Sequence, residues 1–186
     1  MRYPPQHKAA AKAKLVDAGG TLVKQAGFAA TGIDAIAAAA GVTTGAVYSQ
    51  FGSKQQMLSA IVENEMERVI AGFRGADGRG LEGAALRKTL ARYLSPQHAA
   101  HPENGCPIPS LGAEIARADA QTRSVFEEQL TQLIDLIEPG AADRQRAWGI
   151  VAQAVGAVLL ARAVENPATA NEILAAVQSQ AQACVR

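Results

Sequence analysis

Apolar side chains return along this chain at the three-and-four spacing of a helix, and nowhere at the alternation of a strand. The pattern is sharpest between residues 31 and 54. Ile33, Ile36, Ala37 and Ala40 fall at i, i+3, i+4 and i+7 and form one apolar stripe. Thr31 stands just ahead of that stripe with Asp34 three residues on, a placement that caps a first turn. Gly41 closes the helix, where a left-handed residue is cheap without a Cβ. Val42 follows as an apolar plug. Thr43 is placed to cap a second short helix, Thr44 to Phe51, buried through Val47 and Phe51. Ser53, with Gln56 three residues later, opens a third through a capping box. Two short helices joined by a tight turn containing Gly make a helix-turn-helix, a unit that can lay its second helix in the major groove of DNA.

The rest of the pattern is helical too. Residues 1–6, with Pro4-Pro5, read as a disordered basic arm. Leu15, Ala18, Leu22, Val23 and Ala26 predict a helix from His7 to Ala26, in which Gly19-Gly20 marks either close packing or a weak point. Met57, Leu58, Ile61, Val62, Met66, Val69 and Ile70 predict a helix over Gln55 to Phe73, followed by a flexible connector at Gly72, Gly75, Gly78 and Gly80. Leu81 to Leu94 is a further helix and Ser95 to Asn104 a polar loop. Cys106 to Pro109 starts the next helix, which runs to about Ala118. Asp119 caps another, ended by Glu138-Pro139-Gly140. Asp143 to Glu165 is long, and Asn166-Pro167 opens the last helix. The expected fold is all-α with about nine helices. A three-helix head over residues 1–54 precedes a helical body over residues 55–186.

Gly27-Phe28, Thr31, Ile36-Ala37, Ala40-Gly41-Val42, Gly45-Ala46-Val47-Tyr48, Phe51 and Ser53-Lys54 occur in the order and spacing of one family's DNA-binding domain. By these residues the stretch resembles the TetR (tetracycline-repressor) family of bacterial transcription regulators. The resemblance implies a homodimeric repressor, with double-stranded operator DNA bound at the head and a small-molecule effector bound in the body. It implies phosphate contacts at Tyr48 and Lys54, and often at Thr31. In the recognition helix itself, Thr43, Thr44, Gly45, Tyr48, Ser49 and Gln50 are the residues that the buried face does not need. Hydroxyls there suit phosphates or base edges, and Gly45 lets backbone approach a duplex. The helix carries no Arg or Lys, so no bidentate grip on guanine is visible, and Asp34 stands where a basic residue would help.

Composition refines this picture. The 186 residues include 19% charged and only 4% aromatic side chains, which favours Ala- and Leu-rich helices over a β-sandwich. The total charge of +1 conceals a split. Residues 1–55 carry six basic and two acidic side chains, a net +4, leaving −3 for the remainder. A basic end on a mildly acidic body suits a polyanion-binding head. Two cysteines give no disulfide framework and suit a reducing compartment. No leader pattern opens the chain, and Gln153 and Arg162 interrupt its most apolar run. The expectation is a cytoplasmic protein with no membrane partner.

Three constellations remain. His98, His101, Glu103 and Cys106 offer a mixed ligand set too incomplete for a structural zinc site, so no metal or other cofactor is expected. The same Cys and His lack an orienting third group, so no catalytic residue is assigned; an enzyme, or a purely scaffolding module, stays as an alternative. Cys106 is nevertheless a candidate sensing thiol, since the start of a helix lowers a thiol pKa. Phe73, Tyr93, Phe126 and Trp148, with Cys106, are candidates for an effector pocket, by the resemblance. Small residues at Gly149, Ala152, Gly156, Ala157 and Ala163, on a helix apolar on more than one side, predict an isologous four-helix dimer interface. Val151, Val155, Val158, Ile173 and Val177 are its candidate residues.

Overall fold

A computed structural model describes residues 5–186, with side chains from residue 9 onward. The first four residues of the expected basic arm therefore lie outside the described residues, and Pro5 and Gln6 already belong to the first helix. The described residues form ten α-helices and one short 3-10 turn. They are α1 (Pro5–Ala26), α2 (Ile33–Ala39), α3 (Thr44–Phe51), α4 (Lys54–Phe73), α5 (Gly83–Tyr93), α6 (Pro96–Ala100), α7 (Ile108–Ala116), α8 (Ala120–Ala141), α9 (Arg144–Ala163) and α10 (Pro167–Ala183). The 3-10 turn covers Pro102–Asn104.

Local chemistry explains most boundaries. Thr43 Oγ1 accepts from Ala46 N at the start of α3, and Ser53 Oγ from Gln56 N at the start of α4. Asp119, Asp143 and Asn166 do the same for α8, α9 and α10. α2 ends in a Schellman motif, with Val42 N donating to Ala37 O and Gly41 N to Ala38 O while Gly41 takes φ +69°.

Four expectations are corrected. Thr31 does not cap α2: Gly32 holds that position, and the Thr31 hydroxyl donates instead to Gly27 O at 2.6 Å. The polar loop over 95–104 contains α6, because Ser95 accepts from His98 N and Pro96 takes a first-turn position that needs no N–H. The Gly-rich connector is a tied turn, closed by Gly75 N to Arg79 O at 2.7 Å and Leu81 N to Phe73 O at 3.2 Å. α8 runs through Pro139 to Ala141.

Two apolar cores meet along α4. The first gathers Leu15, Val23, Ile36, Val47 and Phe51 with Met57, Ile61 and Met66 of α4, and is closed by Leu111 and Ile115 of α7. The second gathers Ile70 and Phe73 with Leu86, Leu90, Ile134, Ile137, Ile150, Val158 and Leu174. The Gly19-Gly20 pair is close packing. A Cβ on Gly19 would sit 2.8 Å from Ile61 Cδ1, and one on Gly20 would overlap the Glu65 carboxylate.

Candidate functional site

The outer face of α3 is left without internal work. Val47 and Phe51 turn into the core, whereas Thr43, Gly45, Tyr48 and Ser49 are exposed on the other side, Tyr48 by 50%. A side chain on Gly45 would meet nothing nearer than Thr43 Oγ1 at 3.9 Å, so packing within the chain does not demand a glycine there. Thr44 is half-buried and donates its hydroxyl to Asp34 Oδ1 at 2.6 Å. Asp34 thus fixes the start of α3 against α2. Lys54 stands at the first turn of α4 with its ammonium 4.7 Å from the centre of the Phe28 ring, a cation–π contact that orients it. Thr31 is only 5% exposed and its hydroxyl is already committed, which removes its side chain from the phosphate-facing set.

Phe73, Tyr93 and Cys106 come together around a cleft of about 470 Å³ between α1, α4, α5 and the segment 95–106. Behind it, sharing Val69 and the same three residues, lies a small apolar chamber of about 20 Å³ that reaches Val151 and Val155 of α9. His98 organises the wall between them. Cys106 N must donate, so His98 Nε2 accepts at 3.1 Å, and Nδ1–H therefore donates to Tyr93 O at 2.6 Å. Both ring nitrogens are used and the ring is neutral. Burial lowers its pKa, and the charges of Arg162, Arg92 and Lys24 push the same way against the Tyr93 hydrogen bond. A Cβ on Gly105 would lie 2.5 Å from His98 Nε2, so this approach requires glycine. Arg162 braces the segment from α9 through Ala99 O, His98 O and Ser110 Oγ.

The surroundings of Cys106 stand against the sensing-thiol expectation. Cys106 is buried, and burial raises its pKa. The neighbouring Tyr93 hydroxyl, the Ile108 backbone, Arg162 and Lys24 offset that only in part. The helix start at α7 does not compensate, because Pro107 and Pro109 deprive its first turn of N–H donors. His98, being neutral and fully bonded, supplies neither charge nor a metal lone pair. Among the described residues no three His, Cys, Asp or Glu side chains gather as a metal site.

Three polar residues that the sequence did not single out tie α1 and the turn after it to α4 and α7. Glu114 of α7 accepts from Phe28 N at 2.8 Å and Ala29 N at 2.6 Å, gripping the turn between α1 and α2. Lys24 of α1 and Glu65 of α4 form a buried ion pair at 2.6 Å, and Lys24 Nζ also reaches Gly105 O at 3.2 Å. The helical register held one clue. Glu65 falls on the apolar stripe of Leu58, Ile61, Val62 and Val69, where a carboxylate needs a hidden partner.

A family model for bacterial regulatory proteins of the tetR family matches residues 15–61, from within α1 to within α4. Residues 15–61 carry the tetR-family sequence pattern. The chain is 30% identical over 83 residues to the HTH-type transcriptional repressor KstR2 of Rhodococcus jostii (strain RHA1). That match covers 45% of the chain and 41% of the repressor, less than half the length of either. Its fold is also that of E. coli NemR in the reduced form, with a TM-score of 0.72, 19% identity and coverage of 95% and 97% of the two chains. A TetR transcriptional regulator from Chloroflexus aurantiacus J-10-FL gives a TM-score of 0.73, 24% identity and coverage of 97% and 98%.

Two of the aromatics expected at an effector pocket lie away from this cleft. Phe126 packs against the first core, at the joint of α7 and α8 with the head. Trp148 is 40% exposed on the outside of α9. Among the residues expected at the dimer interface, Val158 is fully buried within its own chain and cannot face a partner. Val151 and Val155 are half-buried beside the inner chamber, and Ile173 and Val177 are half-buried on α10. The large apolar residues exposed on α9 are instead Trp148, Leu159 and Leu160. Among the described residues no helix is long and apolar enough to cross a membrane.

Proposed function

We propose that this protein is a cytoplasmic homodimeric transcriptional repressor that binds a near-palindromic DNA operator and releases it when a small molecule occupies the body. Residues 1–54 act as the DNA-binding head and residues 55–186 as the ligand-binding and dimerisation body. The observation that carries the reading is the outer face of α3. Thr43, Gly45, Tyr48 and Ser49 stand exposed on a helix whose opposite face is locked into a core, in a family of regulators. Two such faces related by a two-fold axis read half-sites about 34–36 Å apart, or a multiple of one helical turn. Lys54, Tyr48 and the Thr43 hydroxyl supply phosphate contacts, and Gly45 admits the DNA backbone. The body dimerises through the apolar outside of α9 and through α10, and it carries no catalytic group.

Selection of bound fragments from random duplex DNA tests this directly. The expected product is an inverted repeat. Gly45→Ala should leave the melting temperature unchanged or higher, because helix propensity favours Ala by about 0.5–1 kcal/mol, yet weaken operator binding at least tenfold. Lys54→Ala should weaken all sequences alike and reduce the salt slope by about 1. Enrichment of no sequence, or a Gly45→Ala protein with full affinity, would remove α3 as the reading element.

A further inference from the structure

The cleft holds an unbalanced cation at its mouth and an unpartnered hydroxyl at its back. Its two lining carboxylates are both occupied. Glu65 is paired with Lys24 at 2.6 Å and with Arg68 at 3.2 Å, and Glu103 with His101 at 3.2 Å. Arg68 is also committed to Asp17 at 2.6 Å. Arg92, on the exposed side of α5, lines the same cleft and has no acidic partner among the described residues. At the inner end the Tyr93 hydroxyl is shielded from solvent and has no oxygen or nitrogen partner, its polar neighbour being the Cys106 thiol, a weak hydrogen-bonding group. An orphaned buried hydroxyl is costly, and a bound group that accepts its proton recovers that cost. Val69, Phe73 and the Tyr93 ring give the cleft one apolar side.

We propose that the cleft binds a small organic monocarboxylate with an apolar body and an oxygen at its far end. The carboxylate pairs with the Arg92 guanidinium, the body covers Val69 and Phe73, and the far oxygen accepts the Tyr93 hydroxyl proton. The inner chamber limits the size of that end. About 20 Å³ holds one water-sized group, so a hydroxyl or carbonyl fits and a further ring does not. A guanidinium suits a carboxylate through two parallel N–H donors, which a neutral amide cannot match. The inference deepens the reading of the body as an effector site and rests on it.

Calorimetric titration of the full-length protein decides the matter, using phenylacetate, 4-hydroxyphenylacetate, hexanoate and 6-hydroxyhexanoate, each beside its primary amide. At least one hydroxylated acid should bind more tightly than its amide by about tenfold or more, and more tightly than the acid lacking the hydroxyl. Arg92→Gln should abolish the preference for acid over amide. Tyr93→Phe should abolish the preference for the hydroxylated acid, while its melting temperature without ligand stays level or rises because the orphaned hydroxyl is gone. No binding by any acid up to millimolar concentration, equal binding of acids and amides, or an Arg92→Gln protein with its preference intact would each overturn the proposal. A parallel measurement of release from the selected operator separates the two levels. Acids that bind but leave the operator occupied uphold the ligand class and defeat the effector reading. Absence of operator binding defeats the head assignment without touching the titration.

Discussion

Single side chains here are constrained by burial more than by neighbouring charge, and the wall around Cys106 makes this measurable. Burial raises both the Cys106 thiol and the Tyr93 phenol. As the solution turns alkaline the unfolded chain loses its thiol proton first, near pH 8.5, while the folded chain keeps it. Stability is therefore full below that value and falls as pH climbs past it. His98 is shifted the other way, downward, chiefly by burial. On the acid side the unfolded chain takes up its proton first, so stability is full above about pH 6.5 and is lost below it. Thermal melting should show a plateau between about pH 6.5 and 8.5, and Cys106→Ala should flatten the first part of the alkaline fall. A wild-type melting temperature constant from pH 8 to 10 would contradict the buried-thiol account.

Among the elements, α9 stands out because it is apolar on two faces. One packs Ile150, Ala154, Ala157, Val158 and Ala161 inside the chain, and the other exposes Trp148, Leu159 and Leu160. An inward residue makes a poor probe of association, since Val155→Arg would also place a charge beside the inner chamber. Leu160 is 55% exposed and can be changed without touching the core. Leu160→Arg should give a folded monomer by sedimentation, with an unchanged helical signal and little operator affinity. A dimer that persists at micromolar concentration would place the interface away from α9. Element boundaries were also the most legible feature of the sequence. The caps at Thr43, Ser53, Asp119 and Asn166 and the stop at Gly41 are contacts within a few residues, so spacing reveals them. α6 was missed because five residues carry no period, although Ser95-Pro96 held its capping signal. The tied turn at 74–81 was missed because glycines mark a bend without saying whether hydrogen bonds close it.

At the scale of the whole molecule, contacts distant in sequence tie α1 and the turn after it to α4 and α7, and these were not legible. Lys24 and Glu65 lie 41 positions apart, and Glu114 lies 86 from the Phe28 amide it holds. No spacing rule joins such pairs. The aromatics at 126 and 148 were misplaced for the same reason: composition shows that a side chain must pack, and only the assembled helices show where. The Lys24–Glu65 bridge allows a direct test. Removing one member of a buried pair strands the other, so Lys24→Met should lower stability by about 3–5 kcal/mol in denaturant titration. Replacing both, Lys24→Met with Glu65→Leu, should restore most of that loss. If the single variant cost less than about 1 kcal/mol, the pair would be behaving as a surface contact.

The grip of Glu114 has a consequence for how such a molecule can be altered. Its carboxylate holds two main-chain N–H groups, which are present whichever non-proline residues stand at 28 and 29. On the head side, that half of the joint is indifferent to side-chain chemistry and sensitive only to the path of the turn. A foreign segment that keeps the Gly27 bend could be grafted at this turn and still be held by the same carboxylate. At that contact the fastening specifies a shape and almost no sequence, so the side chains that must be kept across the joint are those of the Lys24–Glu65 pair and of the apolar core closed by Leu111 and Ile115.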